Sequence, residues 1–201
     1  MLIVATVALD NVYVVASWNL NYVRPMISIT AISEIHLPHV QIYASDPKVG
    51  ATSNLPSPYP QDGAVKWFSA VSERIAAGQS KVFAVVFDES FCGVISLNAI
   101  NHEAKSADLD YWIATPFQRR GIATEAASLA IGHAAQTLSS RKIFSTCLSS
   151  NEASARVLEH NSFIEISRHR LKSGKFVGHE VRRFCLQVPN NSFKADASGA
   201  A

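Results

Sequence analysis

The stretch Gln118-Arg119-Arg120-Gly121-Ile122-Ala123-Thr124-Glu125 closely follows a half-apolar run, DLDYWI, at residues 108–113. The alternating run predicts a strand, and the small and apolar residues after Gly121 predict a helix. Gly121 lets the backbone approach a ligand, and the first N–H groups of a helix have no partner within it. The helix dipole and two arginines add positive charge at this point. The stretch therefore predicts an anion-binding turn; an ordinary strand-to-helix turn with solvated arginines is the alternative.

The residues before this stretch predict a mixture of strands and helices. An alternating strand is predicted at 26–32, a helix interrupted by Pro38 at 33–45, and a loop rich in proline, glycine and serine at 48–63. Apolar residues at helical spacing predict a helix at 63–78, which Gly78 ends. Three strands follow at 81–87, 91–100 and 106–114, and a turn at Asp88-Glu89-Ser90 joins the first two.

The residues after the stretch continue the alternation of helices and strands. The pattern predicts an alanine-rich helix at 121–138, a buried strand at 142–148, a helix at 151–160 and strands at 163–171 and 176–188. Asn151 is a helix N-cap signal, and the sequence KSGK at 172–175 predicts a hairpin turn between the last two strands.

Composition indicates one globular domain. The chain has 201 residues, of which 48% are apolar and 17% charged, with a net charge of +2. Scattered charges form no basic stripe, which argues against nucleic acid or a membrane surface as partner and favours a small molecule or a peptide. Cys92, Cys147 and Cys185 lie far apart without metal or disulfide spacing. We expect reduced, buried cysteines, no metal, and a cytoplasmic protein.

The two ends of the chain differ from its middle. Residues 1–26 are predicted to be an apolar N-terminal extension of undefined structure, with Met26 as an alternative start. A signal peptide is disfavoured because no basic residue precedes Arg24 and Asp10 interrupts the apolar run. The domain is expected over 27–188, and the small polar residues 189–201 predict a flexible tail.

Three segments resemble one protein family. Gln118, Gly121 and Ala123 match the signature Gln or Arg, two residues, Gly, one residue, Gly or Ala; ADLDYWI at 107–113 and NEASARVLEHNSF at 151–163 resemble the segments around it. The chain resembles the GNAT superfamily of N-acetyltransferases, and most closely its ribosomal-protein-alanine N-acetyltransferase branch. The resemblance implies an α/β (α+β) fold: a mixed, mostly antiparallel sheet of about seven strands flanked by about four helices.

The resemblance also implies acetyl-CoA as co-substrate. The residues expected to bind acetyl-CoA are Ile113, Ala114, Gln118, Arg119, Arg120, Gly121, Ile122, Ala123, Thr124, Asn151 and Ser154. In the family, the residue matching Asn151 lies beside the pantetheine arm, and the one matching Ser154 can donate a proton to the leaving thiolate. Helix capping is the alternative role of Asn151 and is compatible with the first.

Acidic residues on the strand before the signature are candidates for handling the amine. Asp108, Asp110 and Trp112 point to one side of this strand. Asp108 stands where relatives carry Glu, so it is expected to act as a base through a water; a solvated carboxylate is the alternative. Asp110 replaces the usual glycine and, with Trp67, is expected to contact the acceptor.

The expected reaction is direct transfer of an acetyl group to a primary amine in a ternary complex. A peptide N-terminus, with a pKa of about 7.7–8.0, or a small amine of low pKa is favoured over lysine, at about 10.4, because only the neutral amine attacks. No Cys/His/Asp arrangement suggests a covalent intermediate. A catalytically weak CoA-binding sensor or interaction module is the alternative, and the sequence is compatible with a monomer or a homodimer.

Overall fold

The structure is a computed structural model that describes residues 4–9, 12–17 and 26–188. Its strands are β1 (Val4–Leu9), β2 (Val12–Ser17), β3 (Ile27–Ala31), β4 (Lys81–Phe87), β5 (Ser90–Asn101), β6 (Ser106–Ile113), β7 (Lys142–Leu148), β8 (Ile164–Arg170) and β9 (Glu180–Gln187). Its helices are α1 (Leu37–Ala44), the single turn α2 (Pro47–Gly50), α3 (Gly63–Ala76), α4 (Ile122–Thr137) and α5 (Glu152–His160). Short 3-10 turns precede α1 and α4.

All the strands belong to one sheet, in the order β1-β2-β3-β4-β5-β6-β7-β9-β8. Every pair is antiparallel except β6 and β7, which are parallel and are connected through α4. The predicted mixed, mostly antiparallel sheet is confirmed, with seven strands between residues 27 and 188.

Helices cover both faces of the sheet. On one face, α4 packs its small buried residues Ala126, Ala127 and Ala130 against a core that includes Ile95 and Leu109. On the opposite face, a second core joins residues of α1 and α3 to β4 and β5. The side chains of β6 point alternately to the two faces of the sheet, so that Leu109 packs in the first core and Trp112 against the second. The predicted sidedness of this strand is confirmed.

Local signals explain most element boundaries. Asp88 and Glu89 both have positive φ, 45° and 64°, as the tight turn between β4 and β5 requires. Gly78 follows α3 with φ 70°, and the Asn151 side chain accepts a hydrogen bond from the Ser154 N–H at the start of α5. Ser162, between α5 and β8, has φ 64°, a backbone conformation that favours glycine.

The structure departs from the sequence expectations in three places. Pro38 does not interrupt its helix but lies in the first turn of α1, where its missing N–H costs nothing. The expected loop at 48–63 begins within α2, and the expected KSGK hairpin is a longer connection over residues 171–179. Within 1–26, residues 4–9 and 12–17 form strands that extend the sheet. The predicted tail, 189–201, lies outside the described residues.

Candidate active site

The parallel strands β6 and β7 separate in the middle of the sheet. They pair only from Ser106 to Asp108, although β6 continues to Ile113 and β7 to Leu148. The Ser145 hydroxyl still donates to the Leu109 carbonyl at 2.8 Å, and beyond this point the strands diverge. The gap exposes backbone at the centre of the sheet, where two cavities adjoin.

The first cavity is a groove of about 480 Å³ at the start of α4. Gly121 precedes this helix with φ 77°, and a Cβ placed on it would meet nothing within 4 Å. Arg119 also has a positive φ, 64°. Within the described residues, the backbone N–H groups from Arg119 to Thr124 have no hydrogen-bond partner. The turn is therefore a concave row of donors suited to a pyrophosphate.

Nine of the eleven residues expected to bind acetyl-CoA line this groove. They are Ile113, Gln118, Arg119, Gly121, Ile122, Ala123, Thr124, Asn151 and Ser154. Gln118 shapes the turn, because its side-chain amide donates to the Ile113 carbonyl at 2.8 Å. Ala114 is fully buried, and the Arg120 guanidinium lies 5.9 Å from the Phe87 and Phe117 ring centroids; neither Ala114 nor Arg120 lines the groove.

Basic side chains stand along the groove on both of its walls. Arg119 lies on the turn before α4, and Arg156 and His160 lie on α5, one helical turn apart. No carboxylate lines the groove among the described residues. The groove thus combines unpaired backbone donors with two guanidinium groups, which fits the phosphates of CoA.

Two hydroxyl groups meet where the groove reaches the gap between β6 and β7. The Tyr111 Oη lies 2.8 Å from the Ser154 Oγ and also donates to the Ser154 carbonyl at 3.2 Å. Burial raises the pKa of the Tyr111 phenol well above its usual value. The Tyr111 phenol therefore stays protonated at neutral pH and forms a hydrogen-bonded pair with the Ser154 hydroxyl. Tyr111 was not predicted as a site residue, because its partner lies 43 residues away.

The second cavity, of about 880 Å³, lies on the α3 side of the gap. Its walls include Trp67, Tyr59 and Trp112. Gly63 allows this wall to form, since a Cβ there would lie 2.6 Å from the Tyr59 ring. The expected acceptor residues Trp67 and Asp110 both line this cavity.

Asp108 lies outside the lining of both cavities. Its side chain is 42% exposed, and its Oδ1 is 3.8 Å from the Arg183 guanidinium, which does line the second cavity. Burial raises the pKa of the Asp108 carboxyl, while the neighbouring Arg183 opposes this rise. Asp108 and Asp110 thus point to the same side of β6, but only Asp110 faces the cavity.

The cysteines are free and buried, as expected. Cys147 lines the second cavity, and burial raises the pKa of its thiol to about 11. The thiol is therefore protonated at neutral pH and is a poor nucleophile. Among the described residues, no three His, Cys, Asp or Glu side chains form a group that could hold a metal ion. No helix in this part of the chain is long and apolar enough to span a membrane.

A sequence profile of the acetyltransferase (GNAT) domain matches residues 27–164, more than half of the chain. The chain belongs to the GNAT acetyltransferase family. The predicted resemblance is confirmed, and its signature is the turn at the start of α4.

Two curated relatives carry names of ribosomal acetyltransferases. The ribosomal-protein-serine acetyltransferase of Escherichia coli (strain K12) is 33% identical over 87 residues, 43% of this chain and 49% of that protein. The chain spans about half the length of the curated relatives it matches.

Solved structures of acetyltransferases share the fold. RimL, a ribosomal L7/L12 alpha-N-protein acetyltransferase in complex with coenzyme A, has a TM-score of 0.74 at 21% identity, covering 81% of this chain and 94% of that one. A spermidine N-acetyltransferase from Vibrio cholerae, in complex with CoA and spermine, has a TM-score of 0.70 at 18% identity, covering 80% and 95%. At these identities the likeness establishes the fold alone.

Proposed function

We propose that this protein transfers the acetyl group of acetyl-CoA to a primary amine, directly and in a ternary complex. The observation that carries the proposal is the shared wall of the two cavities: both are lined by Tyr111, Trp112 and Ser154. A cofactor in the groove and an amine in the second cavity would meet at this wall. Bringing two reactants together in this way supplies a large part of the rate enhancement of such enzymes.

The cofactor side of the proposal rests on the turn at Gly121. The unpaired N–H groups of this turn would hold the pyrophosphate, and the Arg119 and Arg156 guanidinium groups would balance phosphate charge. Asn151, besides capping α5, lines the groove near its junction with the second cavity and is proposed to contact the pantetheine arm.

Three features of the site support direct transfer without an acyl-enzyme. The Cys147 thiol is protonated at neutral pH because burial raises its pKa to about 11. The Tyr111 and Ser154 hydroxyls lie at the shared wall, where they can protonate the departing thiolate. The second cavity is large enough to admit an amine alongside the cofactor.

The acceptor is proposed to be a peptide N-terminus or a small amine of low pKa. Lysine has a pKa about 2.5 units higher than an α-amino group, so producing its neutral form costs about 3.4 kcal/mol more. Trp67 and Trp112 offer aromatic surface for the side chain or carbon skeleton of the acceptor. The free cysteines are consistent with action in the cytoplasm.

The test is a turnover assay paired with calorimetry. The purified protein is titrated with acetyl-CoA, then incubated with a panel of peptides, small amines and lysine derivatives while thiol release and acetylated product are measured. We expect acetyl-CoA binding and product from α-amines more readily than from lysine side chains. Tight binding without product from any amine would instead identify a CoA sensor, and the absence of binding would refute the proposal.

A further inference from the structure

A polar network lies in the wall of the second cavity. The Asn98 side-chain amide donates to the Asp110 Oδ2 at 2.8 Å and to the Ser96 Oγ at 2.9 Å. Its oxygen accepts from the hydroxyl of Ser80, at 3.0 Å. Ser96, Asn98 and Asp110 line the cavity, whereas Ser80 is buried behind them, with 1% exposure.

This network fixes the orientation of one carboxylate. The Asn98 amide uses both N–H donors and its oxygen, so a flipped amide would turn its oxygen toward the carboxylate and lose these bonds. Asp110 therefore holds one oxygen against Asn98. Its other oxygen makes no hydrogen bond within the part of the chain that the structure describes and remains available to a ligand.

The two acidic residues of β6 differ in their charged neighbours. Asp108 has the Arg183 guanidinium at 3.8 Å, which balances its charge. Asp110 forms no ion pair among the described residues and is exposed to the cavity. An attacking amine gains positive charge as its nitrogen bonds to the carbonyl carbon, and an unbalanced carboxylate stabilises this charge better than a paired one.

Building on the proposed function, we infer that Asp110 is the catalytic base for the acceptor amine and that Asn98 is its positioning residue. The amine nitrogen bonds to the acetyl carbonyl carbon, the carbon–sulfur bond breaks, and sulfur leaves with the bonding electron pair. The proton of the attacking nitrogen passes to the Asp110 carboxylate, directly or through one water, and then to solvent.

The first test compares two substitutions on the same strand. Asp110→Asn is expected to lower kcat about 100-fold with unchanged acetyl-CoA affinity, and the loss should shrink at high pH as the amine deprotonates without help. Asp110→Glu should recover part of the activity, and Asp108→Asn should lose less than Asp110→Asn. Glu103→Gln, in the exposed turn between β5 and β6, is the control for handling and folding. If Asp108→Asn lowers kcat as much as Asp110→Asn does, or more, the inference is overturned.

The second test addresses the positioning role of Asn98. Asn98→Leu keeps the approximate shape and is expected to lower kcat about 10-fold with little change in the acceptor KM. In the double variant with Asp110→Asn, the loss should equal that of Asp110→Asn alone, because Asn98 acts only through that carboxylate. If the fold-loss of kcat in the double variant equalled the product of the two single losses, Asn98 would act independently of Asp110 and the positioning role would be contradicted. Wild-type protein that binds acetyl-CoA but acetylates no amine would refute the proposed function, and this inference with it.

Discussion

At the scale of single residues, the site depends on backbone geometry as much as on side chains. Arg119 and Gly121 both adopt positive φ, and this path turns successive N–H groups toward one concave surface. Only the glycine adopts such a φ without strain, while Arg119 bears a local cost. The space above Gly121 is open, so that a side chain would enter the groove and not collide with the protein.

We therefore expect Gly121→Glu to abolish acetyl-CoA binding, with a loss of at least about 100-fold, or 2.7 kcal/mol. The carboxylate would occupy the pyrophosphate position and repel the anion. Isothermal titration calorimetry measures the affinity. Gly132→Ala, inside α4, is the matched control, because it should leave the affinity unchanged and stabilise the helix by about 1 kcal/mol. An unchanged affinity in Gly121→Glu would show that the cofactor binds elsewhere.

The hydroxyl pair of Tyr111 and Ser154 gives a second prediction at this scale. Ser154→Ala is expected to lower kcat by about 10-fold or less, because a CoA thiolate, with a pKa near 8.5, leaves with little assistance. Raising the pH should not restore the rate, since a lost proton donor is not replaced by alkali. Tyr111→Phe should give a similar loss, because both hydroxyls serve one proton path. A pH–rate profile in which alkali rescues Ser154→Ala would assign that serine to proton removal.

At the scale of elements, α4 buries a titratable group against the sheet. His133 is 6% exposed, and its ring meets the Phe83 ring edge to face at 5.0 Å. Burial lowers the pKa of His133 to about 4, below its usual 6.5. Between these values the unfolded chain binds a proton that the folded chain does not, so this contribution to stability is complete above pH 6.5 and is lost as the pH falls.

We expect His133→Leu to reduce the pH dependence of stability. In the wild-type protein, His133 should lower the free energy of unfolding by about 2 kcal/mol between pH 7.5 and pH 5. Urea denaturation at both pH values measures the difference. His102→Gln, at an exposed position, is the control and should show the same change in the free energy of unfolding between the two pH values as the wild-type protein. If His133→Leu keeps the wild-type pH dependence, the folded chain protonates His133 as readily as the unfolded chain does, and burial does not lower its pKa.

Elements were easier to predict than contacts between them. Periodicity, the Asn151 cap and the Asp88-Glu89 turn are local, so they placed the helices and strands that later formed the two cores. The signature likewise located the groove, because the turn and its helix are contiguous. The Asn98–Asp110 network and the Tyr111–Ser154 pair join different elements, and no local spacing specifies which residues face one another across a sheet.

At the scale of the whole molecule, one lysine connects two distant segments beside the second cavity. The Lys175 ammonium, in the connection between β8 and β9, donates to the carbonyls of Gly50, Ser53 and Leu55, 120 to 125 residues earlier. Both connected segments contribute to the cavity, through Leu55 and the neighbouring Phe176. The ammonium thus holds two loops together beside the second cavity.

Lys175→Met should loosen this side of the molecule. We expect the acceptor KM to rise several-fold and the free energy of unfolding to fall by about 1 kcal/mol, since charge-assisted hydrogen bonds are lost at a partly exposed site. Steady-state kinetics and urea denaturation measure the two effects. Lys172→Met, three residues earlier in the same connection, should change neither. Equal behaviour of the two variants would show that the loops are held by other contacts.

The shared wall at Tyr111, Trp112 and Ser154 has a consequence for inhibition. Because the two substrates would lie in adjoining cavities, one compound that joins CoA to an acceptor through a short spacer can occupy both at once. Linking the two halves makes the second contact intramolecular and can raise the affinity by about 10²- to 10⁴-fold over either half. A series of such bisubstrate compounds with increasing spacer length would act as a ruler. The length that inhibits best would report the separation of the two bound substrates in solution.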